Sequence, residues 1–128
     1  MYGYSVYDIA AKTTFSYAPM HSWTHGETFI GTDIDYNPRN DILTVNGCYW
    51  ACPCETFLLR ITDPMQPFSA YLSLQHLLDE DYEKYEDITL ARREGSDLIL
   101  KCCDIQAKPY HDIEIRLREQ DYIPFLHN

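Results

Sequence analysis

The chain has few basic residues and no long hydrophobic run, and each shortage argues against a class of function. Ten lysines and arginines stand against twenty acidic residues, a formal net charge of −10. Such a balance argues against ordinary nucleic-acid binding and against anionic membranes. No apolar run approaches the roughly 20 residues that span a bilayer. Glycine-rich phosphate loops, nucleophile elbows and zinc-protease motifs are also missing from the sequence, so no pattern indicates a cofactor or an enzyme class.

The N-terminus and the cysteines lead us to expect a cytoplasmic protein. The first eight residues have no basic region and no long apolar stretch, so they do not resemble a secretory signal. Five cysteines cannot all pair within one chain. Cys102 and Cys103 are adjacent and on a strand would point to opposite faces, as separate thiols do. Reduced cysteines that behave as small hydrophobic residues are typical of the cytosol.

Composition and periodicity predict a single compact domain over residues 1–128. The chain is 45% hydrophobic and 14% aromatic, which is typical of a globular protein, and we find no linker or low-complexity segment. Two-residue alternation dominates. We therefore predict a mainly β (α+β) fold, an antiparallel sheet or sandwich of about seven to nine strands with one helix near 73–85.

The individual elements follow from the local pattern. Alternation predicts strands near 2–7, 15–18, 28–36, 56–61, 87–93, 97–105 and 111–119. Helical spacing of Leu74, Leu77, Leu78, Tyr82 and Tyr85 predicts the helix. Phe57-Leu58-Leu59 is apolar on both faces, which indicates a central strand. We predict that the tail 120–128 is an extended cover strand.

Two layouts compete for the segment Asp41–Pro64. Asn46-Gly47 between apolar runs is a strong hairpin signal, which favours a tight turn at that point. Alternatively, 41–50 is one long strand with a glycine bulge, and the turn lies at 52–55. The sequence alone leaves both layouts open.

The same segment also holds candidate chemistry. A metal site would draw on His21, His25, Cys48, Cys52 and Cys54, and a cysteine-dependent enzyme would use Cys52 or Cys54. The cysteine spacing is irregular and no cation lies nearby in sequence, so we interpret Cys48, Cys52 and Cys54 as packing residues. A metal-binding protein or cysteine enzyme centred on these three residues is the alternative. Asp33 and Asp35 share a strand face and are a candidate carboxylate pair, although solvated edge residues are the simpler interpretation.

The acidic run after the helix carries our leading functional hypothesis. We predict a partner-binding surface made of Asp79, Glu80, Asp81, Glu83, Glu86 and Asp87, with Tyr82 and Tyr85 turned to the core. A solvated helix end is the simpler interpretation. The functional one is a non-enzymatic acidic protein that binds a basic protein partner, as an inhibitor or immunity-like protein does.

Two further points stay open. Eleven tyrosines allow a small-ligand binder with an aromatic-lined cavity. Edge strands could pair across a dimer, so the oligomeric state is not predicted.

Overall fold

A computed structural model describes residues 3–17, 29–49 and 54–126. The strands are β1 (Tyr4–Asp8), β2 (Thr13–Tyr17), β3 (Phe29–Asn37), β4 (Ile42–Tyr49), β5 (Cys54–Arg60), β6 (Ala70–Ser73), β7 (Tyr85–Glu94), β8 (Asp97–Asp104) and β9 (His111–Leu117). The helices are α1 (Leu74–Asp79) and α2 (Glu119–Tyr122), and a 3₁₀ turn (Ile123–Phe125) follows α2. The predicted mainly β, antiparallel single domain is confirmed.

The strands of the described residues form three antiparallel sheets in simple chain order. β1 and β2 make a hairpin, β3-β4-β5-β6 a four-stranded sheet, and β7-β8-β9 a three-stranded sheet. Each strand pairs only with its neighbours in sequence, as short connections between antiparallel strands allow. As predicted, the strand that contains Leu58 and Leu59 is central in its sheet, and both side chains are buried on opposite faces.

The main core lies between the four-stranded and three-stranded sheets. Its buried members are Ile42, Leu58, Leu72, Leu74, Ile88, Leu98, Leu100, Cys102, Leu117 and Tyr122. A second cluster lies on the other face of the four-stranded sheet and is made of Phe29, Val45, Leu59 and Ile61. The four-stranded sheet therefore buries apolar side chains on both faces.

Asn46-Gly47 is not a turn, so the tight-hairpin layout is wrong. Both residues lie inside the continuous strand β4, opposite Thr56 and Glu55 of β5. A Cβ at Gly47 would lie 2.3 Å from the Ile30 carbonyl oxygen and 2.5 Å from the Phe29 ring. The glycine is therefore needed for close packing against β3 and not for a positive φ. A register shift between Gly31 and Asp33 puts the bulge in β3 instead.

The helix is shorter than predicted. α1 ends at Asp79, and Tyr85 already begins β7. The Asp79 carboxylate accepts hydrogen bonds from the backbone N–H groups of Glu83, Lys84 and Tyr85, at 2.8 to 3.1 Å. These bonds fold the chain back at 80–84. Helical periodicity could not reveal them, because they run from a side chain to the backbone beyond the helix.

The C-terminal segment is helical, so the predicted extended strand over 120–128 is wrong for its described part. Tyr122 is fully buried, and its hydroxyl donates to the Ser96 carbonyl oxygen at 2.7 Å. Asn40 in the β3–β4 turn donates to the same hydroxyl at 3.2 Å. The Tyr122 side chain thus links the C-terminal helical segment to the β3–β4 turn and to the β7–β8 turn.

Cys48 and Cys54 are joined by a disulfide across β4 and β5. Our interpretation of both as unpaired packing residues is therefore wrong, while Cys52 lies outside the described residues. Cys102 and Cys103 are free thiols, with Cys102 buried and Cys103 half-buried, as expected. Within the described ranges, no helix is long and apolar enough to cross a membrane.

Candidate partner-binding surface

Five of the six predicted site residues lie on the surface at one end of the three-stranded sheet. Glu80, Asp81, Glu83, Glu86 and Asp87 are all exposed, in the loop after α1 and at the start of β7. The loop is short and held at both ends by secondary structure. Its carboxylates are therefore presented on a defined backbone.

Asp79 has a different role. It is 7% exposed, and its two carboxylate oxygens are occupied by the three N–H groups of the loop. Burial raises its pKa, but the hydrogen bonds from Lys84, Tyr85 and Glu83 outweigh this and hold the pKa below its ordinary value. Asp79 therefore stays ionised and shapes the loop, and we leave it out of the candidate surface.

Asp104 and Asp112, which are distant in sequence from the acidic run, also lie at this end of the sheet. Glu86 lies opposite Cys103 on β8, and Cys103 lies opposite Asp112 on β9. Burial, and then the charges of Asp112, Glu86, Asp87 and Asp104, raise the pKa of the Cys103 thiol. Four carboxylates thus act on one thiol. We use "acidic surface" for Glu80, Asp81, Glu83, Glu86, Asp87, Asp104 and Asp112.

The arginines of the same sheet lie at its opposite end. Arg92 pairs with Glu114 at 3.0 Å, Arg93 with Asp35 at 2.7 Å, and Arg116 with Asp97 at 2.7 Å. On β8 and β9 the two ends are four to five residues apart, which corresponds to about 13–17 Å. That distance exceeds the screening length of about 8 Å at physiological salt. The arginines are therefore neutralised locally and do not offset the acidic surface.

Few cations contact the acidic surface directly. Within the described part of the chain, its ion pairs are Lys101 with Asp112, at 3.4 Å, and His76 with Glu80, at 3.2 Å. Both pairs are solvent-exposed, and the second requires protonated histidine. Exposed pairs of this kind contribute about 1 kcal/mol or less. Most of these carboxylates therefore have no ion pair with a cationic side chain of the described residues.

Tyr82 lies in the middle of the acidic surface. The sequence predicted that it would turn to the core, but it is 52% exposed and its φ is +57°. The left-handed backbone of the loop turns the ring outward. Tyr85, in contrast, packs against the main core as expected. Tyrosine is one of the residues that are enriched in protein contact patches.

The acidic end of β7 is held in place by hydrogen bonds from residues of the other sheet. The Cys54 backbone N–H donates to the Asp87 carboxylate at 2.9 Å, and the Thr56 hydroxyl donates to the Ile88 carbonyl oxygen at 3.0 Å. The Asn46 side-chain amide forms hydrogen bonds with both the N–H and the C=O of Leu90. The outer edge of β7 is thus paired with side chains of β4 and β5, which fixes the acidic surface relative to the core.

The residues that the structure describes do not assemble the other candidate sites. His21, His25 and Cys52 lie outside the described residues, and Cys48 and Cys54 are bonded to each other. Among the residues that the structure describes, no group of three or more metal-binding side chains comes together. Asp35 pairs with Arg93 and Asp33 is exposed, so neither is the buried carboxylate that an acid–base pair requires.

Sequence reasoning missed Asp104 and Asp112. Both lie in strands that the alternation predicted, near 97–105 and 111–119. The available signal was the register of a three-stranded meander, in which the end of the second strand meets the starts of the first and third. Without the turn lengths that set this register, the two residues looked like isolated strand ends.

Comparison with known proteins adds no family to this description. No family model, curated protein or solved structure matches the chain.

Proposed function

We propose that this protein is a non-enzymatic interaction protein that binds a basic protein partner through the acidic surface, in the manner of an inhibitor or immunity protein. The observation that carries the proposal is the separation of charge along the three-stranded sheet. At one end of the sheet, ion pairs neutralise Arg92, Arg93 and Arg116. The seven carboxylates of the acidic surface lie at the other end. A surface of one sign attracts a partner of the opposite sign and speeds its association.

The rigidity of the surface supports tight binding as well as attraction. Asp79 bonds three successive N–H groups of the loop, and Cys54 holds Asp87 from the neighbouring sheet. A preorganised loop loses little conformational freedom when it binds. The exposed ring of Tyr82 provides apolar contact area at the centre. In protein interfaces, such aromatic residues carry much of the affinity, while surrounding charges set rate and orientation.

The experiment begins with capture of partners on the immobilised protein at low salt, followed by purification of each captured protein. Calorimetric titration and stopped-flow mixing then give affinity and association rate at about 0.05 and 0.5 M salt. We expect a basic partner whose association slows markedly at the higher salt. Tyr82→Ala should mainly raise the dissociation rate, because it removes contact area rather than charge.

A matched pair of double variants separates the acidic surface from net charge. Glu83→Gln/Glu86→Gln removes two charges from the acidic surface, and Asp33→Asn/Glu119→Gln removes two charges elsewhere. The first should weaken binding about five- to twentyfold, because each exposed charge contributes at most about 1 kcal/mol. The second should change it less than twofold. Equal losses in both variants, or a purified partner that is not basic, would contradict the proposal.

A further inference from the structure

A cleft lies between the β1–β2 hairpin and the face of the four-stranded sheet that carries the second hydrophobic cluster. Its volume is about 750 Å³, within the range of about 300–1,000 Å³ that is usual for ligand pockets. Its floor is lined by Leu43 and Val45 of β4, by Leu59 of β5 and by Ile61 just after β5. These residues alternate along each strand, so the strands present one face to the cleft. The floor is therefore a sheet surface made of aliphatic side chains.

The first wall of the cleft is a strand edge. The consecutive residues 3–6 at the start of β1 line the cleft, whereas β2, whose residues are all described, does not line it. A strand face would contribute every second residue. The Ser5 side chain lies on the exposed face of the hairpin, where it bonds Ser16, so it is the Ser5 backbone that lines the cleft. The cleft therefore opens onto the edge of β1 that faces away from β2.

That edge of β1 is suited to pairing. Among the described strands, β1 pairs with β2 alone. Every second residue of such an edge strand directs its N–H and C=O outward, without a strand partner. Bulges, prolines and charges usually prevent an edge from pairing. The β1–β2 register has no shift, and residues 3–7 contain neither proline nor a charged side chain. The edge of β1 therefore lacks these protections.

The opposite wall, β3, is a protected edge. Its register shifts between Gly31 and Asp33, and Asp33 is the only charged residue among the described residues that line the cleft. A bulge and a charge both disfavour regular strand pairing. Ile34 lies on the floor side of β3, opposite Val45, and is 65% exposed. β3 therefore offers apolar contact area to a ligand, while β1 offers hydrogen bonds.

The charges at the cleft favour a basic ligand over a second copy of this chain. Asp33 lies opposite Asn46, whose side chain points to the three-stranded sheet. The Asp33 carboxylate is therefore on the far side of β3 from the floor, exposed at the rim, where it attracts a cationic group. A second copy would bring a further net charge of −10 to the same rim. Because charges of one sign repel, the chain is a poor partner for itself.

We propose that this cleft binds an extended peptide segment of another protein, which pairs with the free edge of β1 as a third strand of the hairpin. The peptide is apolar at alternate positions, which contact the aliphatic floor and Ile34, and it carries lysine or arginine at its ends. Backbone hydrogen bonds to β1 supply affinity, and the alternate side chains supply specificity. The cleft shares no residue with the acidic surface, so this proposal and the proposed function succeed or fail independently.

Four synthetic peptides with blocked ends test the proposal. The reference, acetyl-KVTVTVK-amide, has alternate valines and a lysine at each end. Acetyl-KVVVTTK-amide keeps the composition and loses the alternation, and acetyl-EVTVTVE-amide reverses the charge. The fourth has the reference sequence with N-methyl groups on the backbone nitrogens of its valines and threonines, so those residues cannot donate hydrogen bonds to β1. Backbone-amide NMR titrations of the labelled protein give affinities and binding positions.

We expect the reference peptide to bind most tightly, with the shifted amides in β1 and β3. Loss of the alternation should weaken binding about three- to tenfold, because one valine that faces the floor becomes threonine. Charge reversal should weaken it by a similar factor, about three- to tenfold. N-methylation should weaken it about tenfold or more, because two or three backbone hydrogen bonds are lost. Nuclear Overhauser contacts should join the backbone protons of the reference peptide to those of β1.

Protein variants locate the bound peptide. Ile34→Asn should weaken the reference peptide about three- to tenfold. Its matched control is Ile9→Asn, since Ile9 is 82% exposed in the β1–β2 turn and does not line the cleft. Asp33→Lys should weaken the reference peptide and strengthen acetyl-EVTVTVE-amide, each about threefold. Glu83→Gln/Glu86→Gln, on the acidic surface, should leave both affinities within about twofold of the wild type.

Three results would overturn the proposal. One is the absence of binding by all four peptides at millimolar concentration. Another is equal affinity for the reference peptide and its N-methylated form, which would make the cleft a site for apolar groups and not for a strand. The third is a dimer of the protein, seen by analytical ultracentrifugation, that Ile34→Asn dissociates and Ile9→Asn does not. Such a dimer would mean that a second copy covers the edge of β1.

Discussion

The side chain of Asn46 acts as a strand neighbour for Leu90. Its amide nitrogen donates to the Leu90 carbonyl oxygen at 3.0 Å, and its amide oxygen accepts from the Leu90 N–H at 2.9 Å. The same oxygen lies 2.7 Å from the Thr56 hydroxyl, whose single proton it shares with the Ile88 carbonyl oxygen. One residue of the four-stranded sheet thus satisfies both backbone groups of a residue in the three-stranded sheet. Because β7 begins at the acidic surface, this contact also helps to position that surface.

Truncation of Asn46 should be strongly destabilising. Asn46→Ala leaves the N–H and C=O of Leu90 unpaired inside the junction of the two sheets. Each unpaired buried group costs about 1–3 kcal/mol, so we expect a loss of about 2–4 kcal/mol in the free energy of unfolding, measured by urea denaturation. Thr32→Ala is the control, because its exposed hydroxyl makes one 3.3 Å bond to the Asn46 carbonyl oxygen. A loss of less than 1 kcal/mol for Asn46→Ala would contradict the role of this contact.

Asp79 should make stability depend on pH. Its folded pKa is lowered, so the stabilisation that it provides is fully present above the unfolded pKa of about 3.9 and is lost as pH falls through the folded value. Asp79→Asn should cost about 1–2 kcal/mol at neutral pH, as the loss of a capping carboxylate does. The difference in the free energy of unfolding between this variant and the wild type should shrink below about pH 4. Urea denaturation across pH measures it, with the exposed Asp81→Asn as the control. A gap that stays constant with pH would count against an ionised Asp79.

The disulfide should add measurable stability. Cys48 and Cys54 are six positions apart. For so short a loop, chain entropy predicts a loss of about 2 kcal/mol in Cys48→Ala/Cys54→Ala, and the half-buried Cys103→Ala serves as the control. Mass spectrometry after thiol blocking should show that Cys48 and Cys54 resist labelling until a reductant is added. Labelling of all five cysteines in the unfolded protein without reductant would show that the bond does not form.

The two free thiols should react slowly, and Cys103 should report on the acidic surface. Burial, followed by the charges of Asp104, Cys103 and Asp112, raises the pKa of Cys102 to about 11. Burial and four carboxylates raise the pKa of Cys103. Since the thiolate is the reactive form, alkylation near pH 8 should be slow at Cys103 and slower still at Cys102.

Removal of one carboxylate tests the cause of the slow reaction. Asp112→Asn should speed alkylation of Cys103 about two- to threefold, because the pKa falls when a neighbouring negative charge is lost. Glu114→Gln, two residues along the same strand and paired with Arg92, should have no effect. Site-resolved mass spectrometry gives both rates. If the two variants react alike, the negative field does not converge on Cys103.

Local pattern was a good guide where burial follows strand geometry. Alternation predicted β9, and the double-faced apolar run predicted that Leu58 and Leu59 belong to a central strand. Both inferences rest on side-chain direction, which is set within each strand. The pattern was a poor guide at Asn46-Gly47. This dipeptide can form a turn because it tolerates positive φ values. It can also lie in a strand, where Gly47 fits a close contact and the Asn46 amide forms hydrogen bonds. Only the neighbours Phe29, Ile30 and Leu90 decide between them.

For the acidic surface too, some features could be predicted from the sequence and others could not. The acidic run 79–87 could be located from the sequence, since a cluster of charges is visible without a fold. The inward turn of Asp79, the outward turn of Tyr82 and the arrival of Asp104 and Asp112 could not. Each depends on a loop conformation or a strand register that involves residues far apart in the chain.

Composition and local periodicity alone were enough to predict the class of this protein: its net charge of −10, its mainly β architecture and a helix that begins near residue 73. These are properties of composition and of neighbouring residues. Tertiary structure decided the rest. It paired Cys48 with Cys54, placed the arginines and the acidic surface at opposite ends of the three-stranded sheet, and formed a cleft that Tyr4 helps to line. Strand register and sheet packing bring distant residues together, and no local pattern encodes those distances.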